Sequence, residues 1–220
     1  TTDSTLIVTE KTLSIIELIT SGGIGGSLVM GTLGLLSLFA IYILIERFSV
    51  IKKASNEDKN FLKSIQNFVE AKDIQAAKTL CRNTDSPISR MIEKGVNRID
   101  KPMTDISAAI ENQGKLEVFK MENNLANLAT ISGAAPMIGF LGTVIGMIIA
   151  FHEMASAGGN IDVEMLSKGI YMAMTTTVAG LIVGIIAFIA YNYLVSKIDK
   201  VVFMLEAKTT EFLDLLHHNE

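Results

Sequence analysis

The sequence predicts an all-α integral membrane protein with three transmembrane helices. The main observation is that Asp, Glu, Lys and Arg are absent from residues 18–45, 123–151 and 169–196, which are stretches of 28, 29 and 28 residues. A helix needs about 20 residues to cross the roughly 30 Å hydrocarbon core of a bilayer, so each stretch is long enough. The mean hydropathy of +0.41 and the charged fraction of 19% agree, because soluble domains average about 25% charged residues.

The composition also excludes several classes of protein and site. The net charge of −4 and the isoelectric point of about 5.5 argue against nucleic-acid binding. The single cysteine, Cys81, rules out an internal disulfide framework and a multi-cysteine metal site. The three histidines are too scattered for a metal cage, and the carboxylates form no paired-acid, triad or phosphate-loop arrangement. We therefore expect no enzymatic activity, no bound metal and no cofactor, and residues 1–18 show no signal-peptide pattern.

Basic residues predict the orientation of the chain. Of the 19 Lys and Arg residues, 14 lie between the first and second uncharged stretches and three follow the third. Only Lys11 and Lys168 lie on the opposite side. Because Lys and Arg concentrate in cytoplasmic segments next to membrane spans, this distribution predicts an outer, periplasmic N terminus and a cytoplasmic C terminus.

The N-terminal half begins outside the membrane and ends in the cytoplasm. Residues 1–22 are predicted to form an amphipathic segment on the outer membrane face. Residues 23–46 form the first transmembrane helix, and residues 47–125 form a cytoplasmic helical region. Within that region, Ser86-Pro87 is typical of a helix start, with an N-cap followed by proline at the first helical position.

Two apolar stripes at helical spacing lie in the cytoplasmic region. The first consists of Ile88, Met91, Ile92 and Val96. The second consists of Ile106, Ile110, Leu116 and Phe119. We expect the helix that carries the second stripe to run without a break into the second transmembrane helix.

The C-terminal half contains the second and third transmembrane helices. They are predicted at residues 126–152 and 169–195, joined by a short periplasmic loop at residues 153–168 that contains a Gly-Gly turn signal. Residues 196–220 continue the third helix into the cytoplasm. The second and third transmembrane helices are thus expected to extend into a cytoplasmic helical bundle.

Small residues, spaced by three or four, form one face on each of these two transmembrane helices. On the second helix they are Ser132, Ala135, Gly139, Thr143, Gly146 and Ala150. On the third helix they are Ala173, Thr177, Gly180, Gly184 and Ala187. Such faces let helix backbones approach closely in lipid, and we assign their Gly, Ala and Ser residues to packing against a partner helix or a neighbouring subunit.

The threonines on these faces indicate an ion pathway. Thr143 and Thr177 each lie eight residues from the outer end of their span, which places both about 12 Å below the outer boundary. The two spans are joined by a short loop, so we expect them to be neighbours with the two hydroxyls at one depth. Thr176 adds a further hydroxyl beside Thr177. These three residues are the predicted pore-lining positions.

A proton relay needs a group that titrates within the membrane. The three uncharged stretches contain no Asp, Glu or His. If ions cross here, the titrating group must come from another chain. This absence predicts a hetero-oligomer in which the present protein forms the shell.

Several segments resemble the MotA/TolQ/ExbB proton-channel family, and the ExbB/TolQ branch in particular. Residues 134–151 resemble its second-span motif, which is long and punctuated by proline and glycine. Residues 175–184 and 190–193 resemble its third-span motif. Cytoplasmic segments at 80–82 and 86–90, and Glu46-Arg47 after the first span, are also similar. The resemblance covers roughly residues 25 to 215.

The resemblance implies an architecture and a function. Five copies of the chain would form a homopentamer around a central pore in the bacterial inner membrane. The pore would hold two copies of an ExbD- or TolR-like protein, each with one transmembrane helix that carries the ion-binding Asp. The complex would convert proton flow into mechanical work on the envelope, in TonB-dependent outer-membrane transport with a TonB-like protein. Thr143 and Thr177 match the pore threonines of the family.

Two departures and several alternatives remain. Many ExbB-like chains have Glu where this chain has Met172, and Pro where it has Ile186, so a mechanism that needs that Glu does not carry over. The translocated ion is expected to be H⁺, but threonines would also suit Na⁺. The alternative functions are a TolQ-like motor for envelope constriction, a flagellar-type stator subunit, or a passive membrane scaffold.

Overall fold

The computed structural model of the chain describes residues 23–55, 60–156 and 163–217. In this part of the chain there are seven helices and no strand. They are α1 (Gly23–Ser55), α2 (Phe61–Glu70), α3 (Ile74–Asn83), α4 (Pro87–Val96), α5 (Met103–Glu122), α6 (Leu125–Ser156) and α7 (Val163–His217). The predicted amphipathic segment at residues 1–22 and the Gly-Gly turn of the periplasmic loop lie outside the described residues.

Three helical stretches are long and apolar enough to cross a membrane. They are Gly25–Ser55, Met103–Ser156 and Leu166–His217. Many of their large apolar side chains are exposed in the single chain, such as Leu35, Phe140 and Ile189. Apolar side chains at this density are stable against lipid or against other helices rather than in water.

The chain divides into two compact units. The first, here called the apolar unit, contains the described residues 23–39, 130–156 and 163–187. The second, here called the charged unit, contains the described residues 40–55, 60–129 and 188–217. The long helices α1, α6 and α7 each contribute residues to both units.

In the charged unit, α2, α3, α4 and α5 pack consecutively against one another. Two of these helices start at side-chain caps. The Asp73 side chain accepts a hydrogen bond from the Ala76 N–H at 3.0 Å, and Ser86 forms a reciprocal capping box with Ser89 ahead of Pro87. The helix start predicted at Ser86-Pro87 is therefore confirmed. Such caps satisfy N–H groups that lack a partner within the helix.

The two predicted apolar stripes have different outcomes. All four residues of the α4 stripe are buried, as predicted. In α5, Ile106 and Ile110 are buried, but Leu116 and Phe119 are 55% and 71% exposed. Glu117 and Met121 occupy the buried positions instead. The prediction was thus wrong for the second half of the α5 stripe. The ion pair of Glu117 turns the helix face that carries Glu117 and Met121 inward, and Leu116 and Phe119 are left exposed.

The expectation of an unbroken helix into the second span was also wrong. Helix α5 ends at Glu122, and α6 begins at Leu125. Between them, Asn124 adopts a φ of 63°, in the left-handed region that asparagine tolerates better than most residues. The second apolar helix is therefore separate from the helix that precedes it. By contrast, α7 is continuous over 55 residues, as predicted for the third span and its extension.

Candidate functional site

In the apolar unit, α6 and α7 approach each other so closely that only glycine fits at several positions. A methyl group at Gly139 would lie 2.8 Å from the Thr176 carbonyl oxygen and 3.0 Å from the Gly180 Cα. A methyl group at Gly180 would lie 2.5 Å from the Ala135 carbonyl oxygen. At Gly184 it would meet the ring of Pro136 at 2.5 Å. The prediction that the two spans are neighbours is therefore confirmed.

The small faces thus pack against each other within one chain. Eight of their eleven predicted members are buried, and Ser132, Thr143 and Thr177 are half-buried. The assignment of these faces to a partner helix or a neighbouring subunit is corrected for the pairs just described, because the opposite helix of the same chain already occupies the space. The faces left open on α6 and α7 carry large apolar side chains, such as Phe140, Val178 and Ile182.

Thr143 and Thr177 lie at the centre of this helix pair, and their hydroxyl groups contact each other. The Thr143 hydroxyl is also 3.0 Å from the Ala173 carbonyl oxygen of α7. The Thr177 hydroxyl is 3.2 Å from the Gly139 carbonyl oxygen of α6. Each threonine therefore reaches across to the backbone of the other helix, and both side chains are half-buried.

These three contacts have to share two protons. A hydroxyl group donates one hydrogen bond and accepts up to two. Thr143 can donate to Thr177 or to Ala173, and Thr177 can donate to Thr143 or to Gly139. The protons can therefore be arranged in more than one way without moving a heavy atom. When a third group donates a hydrogen bond to one hydroxyl of such a pair, the two hydroxyl protons can reorient in response.

The structure corrects the predicted place of Thr176. Its side chain is 1% exposed, and its hydroxyl donates to the Ala173 carbonyl oxygen on its own helix at 2.9 Å. It fills the space beside Gly142, where a methyl group would lie 2.5 Å from the Thr176 hydroxyl. Thr176 is thus a packing residue and does not line an open surface of the chain. Gly142 was missed by the sequence analysis, since it lies beside the three-or-four-residue pattern of the small face.

Met172 is one of the two positions at which the sequence departs from the pattern that the family resemblance implies. Its side chain is buried, and it packs beside Gly26 of α1 and Gly146 of α6. A methyl group at Gly26 would lie 3.1 Å from the Met172 Cγ. In this chain the position therefore joins three helices by apolar packing, and it supplies no titrating group.

The charged unit contains a cluster of charged groups around the buried carboxylate of Glu117. The Glu117 carboxylate is 2% exposed and accepts hydrogen bonds from Arg90 at 2.7 and 3.1 Å, from Gln113 at 2.7 Å and from Lys120 at 2.8 Å. Burial alone would raise the pKa of Glu117, but the bonds from Arg90 and Lys120 outweigh it and lower the pKa below its ordinary value. Glu117 in turn raises the pKa of Arg90. This cluster stabilises the contact between α4 and α5.

Cys81 is a free, buried thiol. Burial, and secondarily the Glu93 carboxylate, raises the pKa of Cys81 to about 12. A thiol with such a pKa is protonated at neutral pH and is a poor nucleophile. Among the described residues, no group of three His, Cys, Asp or Glu side chains could hold a metal ion.

The sequence matches a known family over more than half of its length. Residues 83–207, which include Thr143, Thr177 and the whole contact between α6 and α7, match the profile of the MotA/TolQ/ExbB proton channel family. The chain belongs to this family. With its three long apolar helices, it is a membrane protein of a proton-channel family, which is not a family of known enzymes.

Relatives within the family carry ExbB names. A Helicobacter pylori protein named biopolymer transport protein ExbB is 39% identical over 79 residues, which cover 36% of this chain and 54% of the relative. An Aquifex aeolicus protein of the same name is 32% identical over 102 residues, covering 46% of this chain and 68% of the relative. A Methanothermobacter thermautotrophicus protein, named as a candidate ExbB homologue in biopolymer transport, is 26% identical over 187 residues, covering 84% and 64%. The chain thus spans about half to two thirds of the length of these relatives.

Proposed function

We propose that this chain is the shell-forming subunit of a proton-driven motor in the bacterial inner membrane. The observation that carries the proposal is the pair of contacting hydroxyls of Thr143 and Thr177, held between two apolar helices. The half-exposed hydroxyls offer hydrogen bonds to a carboxylate or to water that carries a proton. Matches to ExbB proteins of biopolymer transport support the assignment.

The proton-binding group of the motor comes from a second protein. The three uncharged stretches of this chain provide hydroxyl groups but no acid or histidine. Intramembrane proton relays depend on Asp, Glu or His, which are costly to bury and are retained for function. An ExbD- or TolR-like partner with one transmembrane helix and one Asp supplies this group. The Asp takes up a proton from one side of the membrane and releases that proton to the other side as it passes the threonine pair.

The complete complex is a pentamer of this chain around two partner helices. Exposed aromatic side chains in the charged unit support an assembly, since Phe119 and Phe203 are 71% and 74% exposed in the single chain. Phe119 also lines a groove of about 580 Å³ between α5 and α7. In the pentamer, neighbouring copies cover these side chains. Two helices within a five-fold ring cannot satisfy all contacts at once, which favours stepwise rotation.

The work of the motor is done on the cell envelope. One elementary charge that crosses 100 mV releases about 2.3 kcal/mol, so an event at the outer membrane requires several protons. We propose that a TonB-like protein transmits this work to outer-membrane transport. The concentration of basic residues after the first and third uncharged stretches supports a periplasmic N terminus and a cytoplasmic C terminus.

Copurification and flux measurements test the proposal. The chain is co-expressed with the product of the neighbouring gene, and the mass of the purified complex gives the subunit ratio. Proteoliposomes that contain the complex are then assayed for proton influx with a pH-sensitive dye under an imposed membrane potential. We expect a 5:2 complex with proton flux that requires the partner Asp. A stable complex without flux, in the presence of the TonB-like protein, would instead identify a passive scaffold.

A further inference from the structure

A groove of about 720 Å³ lies between the C-terminal part of α1 and α7, within the charged unit. Four of its lining residues are lysines, namely Lys52, Lys53, Lys197 and Lys200, and none of the lining residues is acidic. The volume lies in the range of pockets that hold small ligands, about 300–1,000 Å³. The lining therefore favours an anionic ligand.

One end of the groove is aromatic. The rings of Phe48 and Tyr193 stack, with centroids 6.4 Å apart and an interplanar angle of 22°. The Lys197 ammonium group lies 5.5 Å from the centroid of the Tyr193 ring. On both helices a lysine follows the aromatic residue by four positions, Lys52 after Phe48 and Lys197 after Tyr193. This spacing places the two lysines about 6 Å further along the helices than the two aromatic residues. Phe48 and Tyr193 are here called the aromatic level of the groove.

The aromatic level lies at the boundary of the uncharged stretches. The first stretch ends at Ile45, three residues before Phe48, and the third ends at Ser196, three residues after Tyr193. Tyrosine and other aromatic side chains are typical of the membrane–water interface. The lysines one to two turns further on are then at the level of the lipid headgroups, where long basic side chains extend towards phosphates.

Three of the lysines form no ion pair with a carboxylate of the described residues. Lys53 forms an ion pair with Asp85 at 2.5 Å. In the described ranges, no Asp or Glu lies within ion-pairing distance of Lys52, Lys197 or Lys200, and all three side chains are exposed. Three unpaired ammonium groups on one groove repel each other unless an anion lies between them.

We propose that this groove binds the headgroup of an anionic phospholipid from the adjacent leaflet. Lys52, Lys197 and Lys200 hold the phosphate, and Phe48 and Tyr193 contact the first carbons of the acyl chains. Basic pockets between membrane helices on the cytoplasmic side are suited to such headgroups. The aromatic end favours a lipid over an inorganic anion, because a lipid has an apolar part to place there and an inorganic anion has none. This site goes beyond the proposed motor, since it uses none of the ion pathway.

Native mass spectrometry of the full chain in detergent tests the site. The protein is titrated with phosphatidylglycerol and with phosphatidylethanolamine of the same acyl chains. Each lysine near an anionic surface strengthens binding about fivefold, so three lysines favour phosphatidylglycerol by roughly 100-fold if they act independently. The triple variant Lys52→Gln, Lys197→Gln, Lys200→Gln is expected to lose this preference. The triple variant with arginine at the same positions is expected to keep it.

Matched controls make the result specific. Lys63, Lys94 and Lys101 are exposed lysines of the charged unit outside the groove, and their triple glutamine variant should retain the preference. In the wild-type protein, the preference should also fall with rising ionic strength, because exposed charges are screened. Undiminished phosphatidylglycerol binding in the groove variant, or no effect of salt, would overturn the proposal. If inorganic phosphate displaced phosphatidylglycerol as well as added phosphatidylglycerol does, the groove would be a site for soluble anions instead. None of these readouts depends on the partner or on proton flux.

Discussion

The hydroxyl groups of Thr143 and Thr177 contact each other across the α6–α7 interface. Each hydroxyl also reaches a backbone carbonyl of the opposite helix, that of Ala173 or that of Gly139. Each helix thus offers a hydroxyl and a carbonyl group to the other, so the position of each threonine depends on the other threonine. The glycines around the pair allow the helices to come close enough for it to form.

Removal of either hydroxyl should stop proton transfer without preventing assembly. Valine keeps the shape of threonine but has no hydroxyl, so Thr143→Val or Thr177→Val removes the polar spot and leaves the packing. One positioned proton-transfer group contributes about 10²–10⁴ to a rate, and we expect flux to fall by at least roughly 100-fold. Proteoliposomes with the partner and a pH-sensitive dye measure this rate.

Thr175 provides the matched control for this prediction. Its hydroxyl donates to the Tyr171 carbonyl oxygen of its own helix at 2.9 Å and reaches neither Thr143 nor Thr177. Thr175→Val should therefore keep wild-type flux, and Thr143→Ser should keep most of it because serine retains the hydroxyl. Wild-type flux in both the Thr143→Val and the Thr177→Val variants would reject the role of the pair.

A methyl group at Gly180 should separate α6 from α7. It would lie 2.5 Å from the Ala135 carbonyl oxygen and 2.8 Å from the Gly139 Cα, and backbone atoms cannot move aside as a flexible side chain can. Overpacking of this kind costs about 1–3 kcal/mol, so Gly180→Ala should lower the thermal midpoint of the purified protein by about 2–12 °C. Circular dichroism at 222 nm measures the midpoint.

Gly133 allows the same substitution where there is space. It lies on α6, and no heavy atom from elsewhere would lie within 4 Å of the added methyl group. Alanine is better than glycine inside a helix by about 0.5–1 kcal/mol, so Gly133→Ala should leave the midpoint unchanged or raise it slightly. A drop at Gly133 as large as that at Gly180 would mean that the close contact is not the cause.

The sequence could predict the parts of the fold that depend on local pattern. A long stretch without charged residues predicts a transmembrane helix, because the thickness of the bilayer fixes the length that a helix needs to cross it. Ser86-Pro87 predicts a helix start, because an N-cap depends only on residues next to each other in sequence. The small faces of α6 and α7 could be seen because their spacing follows the helical repeat.

The remaining features depend on contacts between distant positions. Glu117 is buried because Arg90, 27 positions earlier, pairs with it, and no pattern within α5 reveals this partner. The break at Asn124 lies between two apolar helical segments, so periodicity alone does not show it. Thr176 and Thr177 are adjacent in sequence, and only the packing angle of α7 decides that the first is buried and the second half-exposed.

The Glu117 cluster should make the charged unit sensitive to acid. Glu117→Gln keeps the size of the side chain but removes the charge that Arg90 and Lys120 contact. Hydrogen bonds to charged groups contribute about 1.5–3 kcal/mol, so the thermal midpoint should fall by about 3–12 °C at pH 7. Glu111→Gln, which removes an exposed ion pair to Lys115 in the same helix, should change it by less than about 2 °C.

The pH dependence of this difference has a definite sign. Because the pKa of Glu117 is lower in the folded protein than in the unfolded chain, the unfolded chain binds more protons between the two values. The stabilisation by Glu117 is therefore complete above the ordinary carboxyl pKa of about 4.3 and is lost as the pH falls through the folded value. Midpoints of the wild type and the Glu117→Gln variant should converge in that acidic range. A constant difference down to the lowest pH would contradict the ion-pair assignment.

Cys81 should resist alkylation as long as the protein is folded. Burial and the Glu93 carboxylate raise the pKa of this thiol to about 12, so at pH 8 the reactive thiolate is about a thousandfold rarer than for an ordinary cysteine. A maleimide reagent, followed by mass spectrometry, should modify Cys81 at pH 8 only after denaturation. Lys94→Cys in a Cys81→Ala background places a thiol at an exposed position of the same unit and should react within minutes. Rapid modification of native Cys81 would show that α3 opens readily, and the contact between α3 and α4 would then be weaker than the buried thiol indicates.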